Sequence, residues 1–201
     1  MWFLRTITLV PRPTAIGAAP FLVTLVTFLV FRGWTGTLLG RPLAPLPIAA
    51  ASGFAVLIVR NVLFNLKEEL RPDDLSGWMA LYTLGIFLCA ALLFSPDAAT
   101  VQKCYTVYLL AMSACILAVL RFWPEDIHHF PSVWATRDAE AVRAMPLVAL
   151  GYALRAIAAD WVAMSGTETL WILFVTLGSL AIHFLTNWVI LLYLYVRRTG
   201  R

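Results

Sequence analysis

Long apolar runs alternate with short polar breaks along the whole chain. Six runs stand out: about Ala15–Phe31, Leu43–Phe64, Gly77–Phe94, Cys104–Phe122, Met145–Met164 and Leu170–Val196. Each is close to the roughly 20 residues that a helix needs to cross the hydrocarbon of a bilayer. A lone strand leaves its backbone polar groups unsatisfied in lipid, so every run is expected to be helical. The pattern predicts an all-α, polytopic transmembrane bundle of about six spans. It is expected to be a single domain over 1–201, because no stretch is long and polar enough to be a linker. The segment before the first run, Met1 to Thr14, is apolar but broken by Arg5, Arg12 and two prolines. It reads as an interfacial lead-in. A signal peptide is not expected, since the run after Arg12 is too long for an h-region and no small-residue cleavage site follows.

Two runs carry clusters of small residues, Gly17-Ala18-Ala19 and Ala49-Ala50-Ala51-Ser52-Gly53, which let helices approach closely. No inverted repeat and no Gly- or Pro-broken span is apparent. The cations give an orientation. Arg5, Arg12, Arg60, Lys67, Arg71, Arg121, Arg137, Arg143, Arg197, Arg198 and Arg201 fall on one side, against Arg32, Arg41 and Lys103 on the other. The excess predicts both termini in the cytoplasm of a plasma (inner) membrane.

Composition agrees with the pattern. Of 201 residues, 61% are hydrophobic and only 13% charged, about half the charge of an ordinary soluble domain. The net charge of +4 is spread over connections, so it is a topology signal and not a nucleic-acid footprint. Cys89, Cys104 and Cys115 lie in or beside apolar runs without CxxC spacing, and read as small core residues.

The polar residues that break the pattern are the candidate chemistry. Asn61, Asn65 and Glu69 are four residues apart and share one helix face, and Arg71-Pro72-Asp73-Asp74 then ends that helix. The second large connection on the same side holds Glu125, Asp126, His128, His129, Arg137, Asp138, Glu140 and Arg143. Its adjacent histidines do not share a face, and no HxxxH or HExxH spacing exists, so a solvated pair is expected over a metal site. The fifth run contains Arg155 and Asp160, five residues apart, so a partner elsewhere is expected for each, or, for Asp160 near the outer end of the run, solvent. Snorkelling or a structural ion pair is the plain alternative for Arg155. The sixth run contains His183 and Asn187, which are expected to hydrogen-bond across helices or to form part of a polar path. The HxxxN spacing also resembles intramembrane proteases of the CAAX-processing type, whose EExxxR motif is here Glu68-Glu69-x-Arg71. Ser165-Gly166 resembles a fragment of an intramembrane serine protease, without a supporting oxyanion site.

The N-terminal third resembles the UbiA superfamily of intramembrane prenyltransferases. The resemblance rests on Arg12-Pro13-Thr14-Ala15-Ile16-Gly17 before the first span and on Asn61-xxx-Asn65-xxx-Glu69 followed by Arg71-Pro72. The family carries NDxxDxxxD there. Its second acidic motif is similar to Arg137–Arg143 with Asp138 and Glu140. The resemblance implies a protein that binds an isoprenoid or other lipid diphosphate at its cytoplasmic face, a prenyltransferase if active. It implies Mg²⁺ held by Asn65, Glu69 and Asp138, with Glu69 and Asp138 catalytic. Arg60, Asn61, Asn65, Lys67, Arg71, Arg137 and Arg143 would bind the substrate. The chain departs from the family in having Asn65 and Glu69 where aspartates stand, and about six spans in place of about nine. Two other functions are open: a small transporter or channel using Arg155, His183 and Asn187, and a non-catalytic subunit of a membrane complex. The expected partners are membrane lipids, with no nucleic acid, and an oligomer or complex partner is open.

Overall fold

The computed structural model describes residues 15–34, 36–38, 41–42, 44–67, 97–129 and 142–199. The run expected over Gly77–Phe94 lies outside them. The described architecture is helical except for one two-residue antiparallel pairing. In order it comprises α1 (Ala15–Phe31), β1 (Thr37–Leu38), β2 (Arg41–Pro42), α2 (Pro45–Lys67), α3 (Ala98–Phe122), a 3₁₀ turn (Pro124–His129), α4 (Met145–Ser165), α5 (Glu168–Leu173), a π turn (Phe174–Gly178) and α6 (Ser179–Thr199). In β1–β2, Thr37 pairs with Pro42 and Leu38 with Arg41. Three helical stretches are long and apolar enough to cross a membrane: Ala98–Phe122, Met145–Ser165 and Glu168–Arg197. Shorter apolar helices occupy Ala18–Phe31 and Pro45–Arg60.

The local chemistry explains the helix ends. Asp97 accepts a 2.6 Å hydrogen bond from the Thr100 amide, capping α3 at its first turn. The helix therefore starts at Ala98, six residues before the apolar run at Cys104, and Lys103 lies on it instead of in the connection before it. Pro45 and Pro47 open α2, where a missing N–H removes no intrahelical bond. Thr167 caps α5, accepting from the Leu170 amide at 3.2 Å. Pro20 sits inside α1, and the Thr24 hydroxyl donates to its carbonyl at 2.8 Å.

The described residues divide into two compact units. One draws on residues up to Gln102 together with Gly166–Thr176. In it α1 packs against α2 and against α5. Phe28, Leu46, Ala49, Trp171 and Ile172 are buried. The small run of α2 has the consequence expected of it: a Cβ on Gly53 would collide with Thr24 Oγ1 and come within 2.9 Å of the Pro20 carbonyl oxygen. Only glycine admits this approach.

The other unit draws on Lys103–Ser165 and on the chain from Leu177. Here α4 packs against α6. Its core joins Ile116 of α3, Ile127 of the 3₁₀ turn, Ala144, Met145, Val148 and Ala149 at the start of α4, and Ile190 of α6. Ile127 thus anchors the otherwise polar Pro124–His129 turn by its one buried aliphatic side chain. A cross-helix hydrogen bond of 2.8 Å from Ser113 Oγ to the Ala149 carbonyl ties α3 to α4. The outward face of α4 is apolar, with Leu150, Leu154, Ile157, Trp161 and Met164 exposed. Those positions recur at helical spacing and form the stripe a lipid-facing helix presents.

The last apolar run is not one uniform α-helix. Phe174–Gly178 is a π turn between α5 and α6, so the run is broken where the sequence pattern showed no break. A π turn keeps its backbone hydrogen-bonded, and so leaves hydropathy unchanged. The Thr176 hydroxyl reaches the carbonyls of Ile172 and Leu173 at 2.7 and 3.3 Å, satisfying groups that the widened turn loosens.

Candidate functional site: a polar cluster around Arg155

Arg155 lies ten residues from each end of α4, about 15 Å along the axis from either end. It is 9% exposed. Its Nε donates to the Gly151 carbonyl one turn back, at 3.3 Å. Its guanidinium carbon stands 4.5 Å from the centroid of the Tyr152 ring, three residues back on the same face. The cation is therefore stacked on an aromatic face, a favourable contact where water is excluded. Among the described residues no carboxylate is within ion-pair reach of it. The structural ion pair is not found among the described residues, and the side chain is buried against protein. Asp160 of the same helix is exposed.

Two other helices bring polar groups to this level. Tyr105 Oη of α3 is 3.1 Å from Ser179 Oγ of α6, with either hydroxyl as donor. The Arg155 charge lies close enough to act on both Tyr105 and His183. On α6, Asn187 Nδ2 and His183 Nε2 are 3.0 Å apart. His183 and Asn187 thus contact each other, four residues apart on one helix. An amide nitrogen only donates, so Nε2 accepts and a neutral ring carries its proton on Nδ1. Asn187 is 3% exposed and Ser179 1%. Gly151 keeps α4 and α6 close beside the cluster: a Cβ there would come 2.7 Å from Thr186 Oγ1 and 2.8 Å from Thr186 Cγ2.

Tyr105, Tyr152 and Ser179 were not singled out from the sequence. Two of the three left a signal. Ser179, His183 and Asn187 continue one period-four ladder, and Tyr152 stands one turn before Arg155. Nothing local marks Tyr105.

The residues expected at the cytoplasmic ends have a different standing. The α2 backbone runs unbroken through Arg60, Asn61 and Asn65 to Lys67. Arg60 is half-buried. Glu69 and Arg71 lie outside the described residues, as do Arg137 and Asp138. Arg143 is exposed in the turn before α4. Among the described residues no group of three or more His, Cys, Asp or Glu side chains gathers as metal ligands do. Ser165 and His183 have separate partners, since the Ser165 hydroxyl donates to the Trp161 carbonyl at 2.7 Å. Comparison with family models, curated proteins and solved structures finds no match for this chain.

Proposed function

We propose that this chain is an integral membrane protein that binds an anionic solute or lipid head within its helical bundle, as a small transporter or binding protein. One observation carries this reading: Arg155 is buried midway along a membrane-length helix with no carboxylate partner among the described residues. A charge at that depth costs several kcal/mol, of order 2–3 or more, and persists where it serves a ligand path. Substrate sites of transporters lie at this depth. A topology of six spans, with both termini in the cytoplasm of a plasma (inner) membrane, belongs to the same proposal. Its support is the arginine and lysine excess on one side. Proteoliposomes containing the wild-type chain should accumulate labelled organic anions above protein-free controls, and Arg155→Ala should return uptake to background. Equal uptake by the two proteins ends this reading.

A second reading is favoured by the unbroken helix through Asn61 and Asn65 to Lys67. In it the chain binds a lipid diphosphate at the cytoplasmic end of α2, with Mg²⁺ and the UbiA-like residues Glu69, Arg71, Arg137 and Asp138. A bound Mg²⁺ would neutralise the diphosphate leaving group, with arginine and lysine assisting. Purified protein should then retain a labelled prenyl diphosphate in a Mg²⁺-dependent manner, and Glu69→Ala should lower retention about tenfold or more, as loss of a metal-ligating carboxylate does. Retention indifferent to both Mg²⁺ and Glu69 removes it.

A further inference from the structure

We infer that the Arg155 site takes a singly charged oxyacid head, a carboxylate or a phosphodiester, and discriminates against doubly charged phosphate. The inference rests on the anion-binding reading above and names the ligand class of that site.

The argument is one of charge and of geometry. Among the described groups of the cluster, only Arg155 carries a fixed charge. Tyr105, Ser179 and Asn187 are neutral, and the contact from Asn187 Nδ2 to His183 Nε2 requires a lone pair on that ring nitrogen. The described groups therefore supply one positive charge, buried midway along an apolar helix. One negative charge is matched there by a strong, poorly screened attraction. A second negative charge is left uncompensated, and its desolvation penalty opposes binding.

Geometry selects among anions as well. A guanidinium has two bidentate edges, one side-on through Nε and one end-on through Nη1 and Nη2. Nε–H already donates to the Gly151 carbonyl, and the Tyr152 ring covers one face of the plane. What remains is the end-on edge, to which no described residue supplies an acceptor. That edge matches two oxygens held on one carbon or one phosphorus. The hydroxyls of Tyr105 on α3 and Ser179 on α6 are hydrogen-bonded to each other, and the Arg155 charge acts on Tyr105. The surroundings of the site bear on the ligand's source. Leu154 and Ile157 belong to the outward face of α4, 51% and 63% exposed, whereas Arg155 is on its buried face, so it is the head that the site selects, and a membrane amphiphile carries such a head. A short water-soluble carboxylate carries the same head.

The test is saturable binding of labelled hexadecanoate to the purified full chain in detergent. Unlabelled competitors are butyrate, phosphatidylglycerol and hexadecyl phosphate, at about pH 8, where a phosphate monoester is doubly charged. Hexadecanoate should bind, phosphatidylglycerol should compete, and hexadecyl phosphate should compete at least about tenfold more weakly than hexadecanoate. Arg155→Lys keeps the charge but loses the fork, and should weaken binding about tenfold. Displacement by butyrate at matched concentration assigns the head alone. Displacement by long-chain competitors only assigns an amphiphile drawn from the bilayer. Both outcomes support the singly charged class. Hexadecyl phosphate binding as well as hexadecanoate, while still depending on Arg155, overturns the class and leaves the anion site standing. Binding of every probe unchanged in Arg155→Lys overturns both. The competitor series uses wild-type protein alone, so it decides the charge class even if the variant does not fold. Photocrosslinking of a diazirine-bearing hexadecanoate to wild-type protein locates the site independently. Labelling centred on Tyr152–Ala159 and Ser179–Asn187 supports it, and labelling confined elsewhere overturns it.

Discussion

Arg155→Met should make the protein more stable while removing anion binding. The two effects have one cause. A buried cation has given up its water, and here it recovers only a 3.3 Å hydrogen bond to the Gly151 carbonyl and a stack on Tyr152. Neither equals hydration or a carboxylate partner. Methionine keeps the unbranched stem, fills similar volume and needs no solvation. Replacing buried ionic groups by apolar side chains of similar volume stabilises by about 1–4 kcal/mol in favourable cases. The gain here should lie at the lower end, about 1–2 kcal/mol, because the stack on Tyr152 is lost with the charge. The measurement is thermal unfolding in detergent, with anion binding followed on the same sample. A variant that unfolds at lower temperature than wild type would show that Arg155 holds the bundle together, and the functional reading of the site would lose its main support.

Gly151→Leu should have the largest destabilising effect of any single substitution in the α4–α6 packing. Even one carbon at this position would approach Thr186 Oγ1 to 2.7 Å and Cγ2 to 2.8 Å. Thr186 is not free to swing away without cost, since its hydroxyl donates to the Ile182 carbonyl at 2.8 Å. A leucine therefore forces the helices apart, at about 2–3 kcal/mol, the upper part of the range for overpacking. The damage extends to the site, because the Gly151 carbonyl receives Arg155 Nε. A double-mutant cycle checks the cause: Gly151→Ala with Thr186→Ala should recover more than half of the loss seen in Gly151→Ala alone. Additive effects would place the strain somewhere other than this contact.

Much of the helical frame could be read from local sequence. The runs at Ala15–Phe31 and Met145–Met164 match α1 and α4 to within a residue. The start of α3 did not, because Asp97 caps a helix whose first turn is too polar to count as an apolar run. Half of the site was also legible. Arg155, His183 and Asn187 announce themselves by being polar in apolar surroundings. Ser179 shows only as the first rung of the ladder with His183 and Asn187, and Tyr105 not at all, since a hydroxyl is common enough in such helices to pass as helix-to-helix glue. The contact of His183 with Asn187 along one helix depends on rotamers, which spacing alone leaves open.

That membrane-length apolar helices exist, and roughly where those of the described residues lie, follows from the amino-acid pattern alone. In lipid this is a local property: an apolar segment of sufficient length must satisfy its own backbone, whatever its neighbours are. Which polar groups meet follows instead from the packing of the helices. That depends on how each helix is rotated, and each residue turns the face by about 100°. The π turn at Phe174–Gly178 changes the register just before Ser179, and no average of hydropathy registers it. The stack of Arg155 on Tyr152, the contact of Tyr105 with Ser179 and the close approach at Gly151 follow from rotation and packing.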